Sequence, residues 1–213
     1  MVAFLFTVLA VFSGAAYIWA AARGTARQRY ILKPLTTFLI LLVALTLPDP
    51  VSAIYRTLVA AGILLSIAGD VFLMLPGDFF VWGLGSFLVA HLFYIGAYQS
   101  RSGFHFHWAI LIIFAAYAAL VLALLWQHAG PMRYAVAGYA LVLMLMGWQA
   151  TEQYWVLRNT GALLAMAGAV FFLASDSALA LDRFRISLRH RDLIVMSTYY
   201  AAQLLIAWSV YRF

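Results

Sequence analysis

The chain has 213 residues, of which 67% are hydrophobic and only 9% charged, against roughly 25% charged residues in soluble domains, so a water-facing surface cannot be built from it. Apolar spans of about 20 residues use up that length, which excludes a sizeable soluble domain and predicts one transmembrane domain over 1–213. The formal charge of +6 is carried by basic residues in short segments between apolar runs, a mark of membrane topology and not of nucleic-acid binding, and the absence of cysteine excludes disulfides and thiol chemistry.

Apolar runs predict helices at about 2–22, 33–48, 53–75, 79–99, 107–126, 132–150, 159–181 and 192–212. The first run has no basic residue before it and Arg23, Arg27 and Arg29 after it, the pattern of a retained helix and not of a cleaved leader. Pro48-Asp49-Pro50, Pro76-Gly77-Asp78 and Gly130-Pro131 punctuate later breaks. Near Lys33-Pro34 the second helix is expected to begin, leaving Lys33 at its edge. The expected fold is therefore all-α, a polytopic helical bundle of about eight spans. Lys and Arg favour the odd-numbered connections nine to three, Arg56, Arg101 and Arg158 being the minority, which predicts both termini on the non-cytoplasmic side.

Polar groups at membrane depth are costly and usually face the bundle interior. The predicted spans contain few: Asp70 on the third, His91 and Tyr94 on the fourth, Ser175 and Asp176 on the seventh, and Tyr199, Tyr200 and Gln203 on the eighth. At 1.5 Å of rise per residue, Asp70 and Asp176 each lie about 9 Å inside the cytoplasmic boundary. Small residues share their faces, with Gly62 and Ser66 leading to Asp70 and Gly161, Ala165 and Gly168 leading to Asp176, so these helices can approach closely. Tyr94, Tyr98, Gln149 or Ser66 alone reads as interhelical packing. Two carboxylates at matched depth are different, because a structural acid would be paired with a base and only Lys33 or Arg185 could reach in from the edge. No metal is expected: a zinc site takes three or four ligands, and His105, His107, His128 and His190 fall at loop depth, leaving His91 alone. The chain has no GxSxG elbow, HExxH helix or phosphate-binding loop. Asp49, Asp78, Asp182, Asp192 and the cluster from Arg183 to Arg191 read as loop charges.

Along most of its length the chain resembles the YhhN family of multispanning membrane proteins, to which lysoplasmalogenases belong. The resemblance rests on Lys33-Pro34, the run Ala68 to Met74 around Gly69-Asp70, and Gly83-Leu84-Gly85-Ser86-Phe87 leading to His91 and Tyr94. It continues in the Gly161 to Asp176 segment and in Tyr199-Tyr200 with Gln203. It implies hydrolysis of the vinyl ether bond of lysoplasmalogen, giving a fatty aldehyde and glycerophosphoethanolamine or glycerophosphocholine, with no cofactor. That reaction begins with protonation of the vinyl β-carbon, so it needs one acid and one charged stabiliser or base, as glycosidases do for their oxocarbenium ion. Asp70 and Asp176 are the expected catalytic pair, in either order. Ser175, His91, Tyr94, Tyr199, Tyr200 and Gln203 would orient substrate or water, and Lys33 would meet the lipid phosphate. The expected partners are a lysophospholipid and bilayer lipids, and the expected location is a cell membrane, the inner one in a bacterium. A transporter or lipid-binding protein using the acids for protons or solute is the alternative, and a metal-dependent lipid amidase is disfavoured by the single deep histidine.

Overall fold

Inside lipid a backbone must satisfy its own polar groups, and a helix does so within one segment. The computed structural model, which describes residues 1–213, accordingly has eight long helices: α1 (Val2–Arg23), α2 (Ala26–Thr46), α3 (Ala53–Phe72), α4 (Phe80–Ser102), α5 (Trp108–Leu125), α6 (Arg133–Leu157), α7 (Thr160–Phe184) and α8 (Arg191–Trp208). A 3-10 turn over Gly130–Met132 leads into α6, and there is no strand. α1 to α7 are long and apolar enough to cross a membrane. The last helix, α8, opens on Arg191-Asp192 and carries Ser197, Thr198 and Gln203, which keep it short of that apolarity.

Three boundaries differ from the sequence reading. α2 starts at Ala26, not near residue 33, because Thr25 and Gln28 form a capping box that opens the helix about two turns early. Pro34 is then inside the helix, where it removes one backbone donor. α6 runs on to Leu157 instead of stopping near 150, and ends only where Arg158 turns left-handed at φ 48°. At the other end α8 stops at Trp208, because the chain beyond it pairs with the α2–α3 connection through an isolated bridge between Pro50 and Tyr211.

α2, α3, α4, α6, α7 and α8 close a ring in that order, with α8 packed back on α2. α1 lies outside against α2 and α8, and α5 lies outside against α6 and α7. Composition explains the second placement: α5 is the most apolar helix, and only 11% of its span is buried inside the protein, so its side chains face lipid on nearly every side. The glycine stripes point into the ring. A methyl added at Gly62 would come within 2.3 Å of the Tyr94 ring, and one at Gly168 within 2.9 Å of the Ala202 carbonyl oxygen. These contacts set the α3–α4 and α7–α8 spacings, and with them the positions of Asp70 and Asp176.

The two ends of the ring are unlike. At one, Val51 N–H donates to Val210 O at 2.9 Å, Arg212 N–H donates to Asp49 O at 3.1 Å, and the Tyr55 and Ser209 hydroxyls meet at 2.8 Å. These bonds lace the α2–α3 connection to the C-terminus. At the other end, where α3 and α7 finish and α2 and α8 begin, the bundle is hollow.

Candidate active site

The hollow is a cavity of about 220 Å³. Lys33, Asp70, Ser175, Asp176 and Tyr199 line its depth, and Arg29, Arg191 and Asp192 line its outer part. Leu73, Phe87, Leu179 and Met196 supply apolar wall. Five of the nine residues singled out in the sequence thus share one chamber.

Asp70 is 1% exposed and surrounded by donors. Lys33 Nζ lies 3.2 Å from its Oδ1, while the Thr37 and Tyr199 hydroxyls donate to its Oδ2 at 2.7 and 2.9 Å. The early start of α2 makes this possible, because it turns Lys33 from a residue at the edge of the second helix into one on its inner face, with 7% of its surface exposed. Lys33 therefore pairs with an acid instead of standing free for a lipid phosphate, and of the two edge bases within reach in the sequence, Lys33 and Arg185, it is Lys33 that Asp70 takes. Thr37, one turn further along α2, was not singled out at all.

Asp176 has a different setting. The Tyr139 hydroxyl of α6 donates to its Oδ2, no cation pairs with it, and part of its surface stays open to the cavity. The neighbouring Ser175 is fully turned inward, and its hydroxyl donates to Val195 O at 3.0 Å, tying α7 to α8. One aspartate is thus buried and neutralised, whereas the other is accessible and held by a single hydroxyl.

His91, Tyr94, Tyr200 and Gln203 lie outside this chamber, all but Tyr200 in the packed centre of the ring. Tyr94 donates to Gln203 Oε1 at 2.7 Å. His91 is fully buried with both ring nitrogens unpartnered, edge-on to Phe172 at 4.7 Å and to Tyr139 at 5.4 Å between ring centres. Tyr200 turns toward α1, packing edge-on against Tyr17, and its hydroxyl has no partner. Between His91 and the chamber stand the rings of Phe172 and Tyr139, Phe172 packing in turn on the chamber residues Phe87 and Tyr199.

Three contributors carry signals that a single sequence hides. Arg29, counted as a loop charge, sits in the second turn of α2 on the cavity wall and makes no ion pair. Arg191 is held by Asp182 at 2.9 Å and by Asp192 at 3.2 Å. Tyr139 looks like one more membrane tyrosine until α7 is placed beside it. A further acid, Glu152, is 1% exposed near the laced end, where it accepts from Trp148 Nε1 at 2.8 Å and from the backbone N–H and Nδ1 of His107. It anchors the α4–α5 connection and has no part in the chamber. His107 is the loop residue the sequence suggested, and Glu152 is its partner in the added length of α6. No three His, Asp or Glu side chains converge as a metal would require.

The profile of the YhhN family matches residues 28–210. The membrane protein YhhN of Escherichia coli O157:H7 is 30% identical over 194 residues, covering 90% of this chain and 91% of that one. Human lysoplasmalogenase TMEM86B is 38% identical over 161 residues, covering 74% of this chain and 65% of that protein. Human lysoplasmalogenase TMEM86A is 35% identical over 166 residues, covering 72% and 65%. The chain thus spans a little under two thirds of the length of these two human relatives. No solved structure matches. Seven helices long and apolar enough to cross a bilayer, together with relatives that are membrane proteins, make this an integral membrane protein, and the match over nearly its whole length makes it a member of the YhhN family.

Proposed function

We propose that the protein is a lysoplasmalogenase whose chamber cleaves the vinyl ether bond of a lysophospholipid. The observation that carries this reading is the pair of aspartates held in unlike settings on one cavity wall, one neutralised by Lys33 and one open and without a cation. Relatives named lysoplasmalogenase at 35% and 38% identity support the substrate class. Asp176 is the proton donor: its carboxylic acid protonates the β-carbon of the vinyl ether, leaving an oxocarbenium ion on the carbon bonded to oxygen. Water adds there, returning a proton to the Asp176 carboxylate, and the hemiacetal collapses to aldehyde and glycerophospho-alcohol. Asp70, ion-paired with Lys33, places negative charge near the cation, and such charge is worth more in a dry site than in water. Ser175 and Tyr199 hold the walls and do not touch the reacting atoms.

In this reading all eight helices cross the bilayer within one domain, with both termini on the non-cytoplasmic side and the hollow end facing the cytoplasm, in keeping with the basic residues that gather there. Arg29, the unpaired cation at the chamber, takes the phosphate in place of Lys33. Arg29→Ala is expected to raise KM by roughly tenfold or more, the loss of one charge-assisted hydrogen bond, with kcat little changed. Steady-state assays of aldehyde release check this. The whole reading is tested with purified protein in detergent against lysolipids matched in chain but joined by vinyl ether, alkyl ether or ester. Aldehyde from the vinyl ether alone is expected. Fatty acid from the ester would redirect the chemistry to acyl transfer, and inertness toward all three, with solute uptake into liposomes, would favour transport.

A further inference from the structure

Beside the polar chamber lies a second, smaller one of about 40 Å³. The two share Leu73, Phe87, Asp176 and Leu179, so Asp176 stands at their junction. Beyond it the second chamber is apolar, lined by Phe80 and Leu84 of α4, Val136 of α6, and Ala180 and Phe184 of α7. Its origin is visible in the packing. α4 and α7 face each other with α6 between them on the ring, too far apart for their backbones to touch. Beside the chamber it is aromatic side chains that bridge them, Phe87 to Phe172 at 6.2 Å and Phe80 to Phe184 at 5.7 Å between ring centres. An apolar void forfeits dispersion contacts on all its walls, which a hydrocarbon occupant would restore.

We infer that this chamber seats the leading carbons of the lysolipid's alkenyl chain, and that Leu84 and Ala180 set the preference for chain length. The inference rests on the lysoplasmalogenase reading and extends it by fixing the direction of the substrate. A lysoplasmalogen is polar up to its vinyl ether and apolar after it. The only carboxylate common to both chambers lies where that change occurs, with the phosphate placed toward Arg29 and the chain toward Phe80 and Phe184.

Two measurements on the full-length protein test this. A non-cleavable 1-O-alkyl lysophospholipid with a diazirine a few carbons from the ether is photolysed on the protein, and the labelled peptides are mapped by mass spectrometry. Label in the Phe80–Phe87 and Leu179–Phe184 segments is expected, whereas label confined to α1, α5 or the outer face of α8 would overturn the inference. Because this readout needs no turnover, it also separates the two ideas: chamber labelling without hydrolysis of any lysolipid would sink the enzyme reading and leave the chain seat standing. In the second measurement Ala180→Phe and Leu84→Trp, each first shown to keep the thermal stability of the parent, are assayed on long-chain and short-chain vinyl ether lysolipids. The ratio of kcat/KM for long over short chains is expected to fall about tenfold, as for a couple of methylenes displaced from an apolar site. An unchanged ratio in both variants would overturn the inference.

Discussion

Asp176→Asn is expected to lower aldehyde release by about 10²–10⁴-fold, the usual contribution of a positioned general acid, while leaving the fold intact. The substitution keeps the side chain's shape, and the Tyr139 hydroxyl can still donate to the remaining carbonyl oxygen. No ion pair is broken, because none exists at this residue. What is lost is the one acid lining the cavity that is open to it and has no paired cation. Thermal unfolding in detergent and binding of an alkyl ether analogue should match the parent protein, and parent-like turnover by the purified variant would remove Asp176 from the chemistry.

The second large effect falls on stability and separates the two acids. Lys33 and Asp70 form a pair whose members are 7% and 1% exposed, and removing one partner of such a pair strands a charge at a cost of about 3–5 kcal/mol. Lys33→Met and Asp70→Leu are each expected to unfold at markedly lower temperature than the parent. The double variant, which removes both charges, should regain most of that loss, because an apolar pair of similar size often replaces a buried ion pair at little cost. It should not regain activity, since the fixed charge beside the oxocarbenium ion is gone. A double-mutant cycle scored by unfolding and by turnover distinguishes this from an Asp70 that only packs: recovery of both together would make the pair purely structural.

Much of this architecture was legible in the residues. Low charge and apolar runs broken by Pro and Gly were enough for eight helices, and matched distances from predicted helix ends were enough to bring Asp70, Asp176 and Tyr199 to one chamber. The misses share a cause, which is that a polar stretch was taken for the end of a helix. At Lys33-Pro34 the proline looked like a boundary, although Thr25-Ala26-Arg27-Gln28 just upstream is a capping box and one missing donor is tolerated inside a packed bundle. At the end of α6, the expected helix stops near 150 and leaves Glu152 and Gln153 outside it, although they follow Gln149 by three and four residues, the spacing of one helix face, and the structure turns that face inward. Tyr139 had no local signal, because what distinguishes it is an aspartate on another helix. His91, Tyr94 and Gln203 show the opposite limit, since depth alone could not tell a cavity wall from the packed centre beneath it.

The lacing of the C-terminus to the α2–α3 connection also determines how the bundle can move. Tyr211 is bridged to Pro50, and Ser209 is bonded to Tyr55, so α8 has an anchored end at Trp208 and a rim end at Arg191 beside empty space. A rod held in that way has a pivot, and its displacement grows with distance from it. Admission of a molecule larger than the resting chamber therefore falls to the rim, where the ties of α8 to α7 are the ion pair of Arg191 with Asp182 and the Ser175 hydrogen bond to Val195. The same lever leaves the laced end shut while the hollow end breathes.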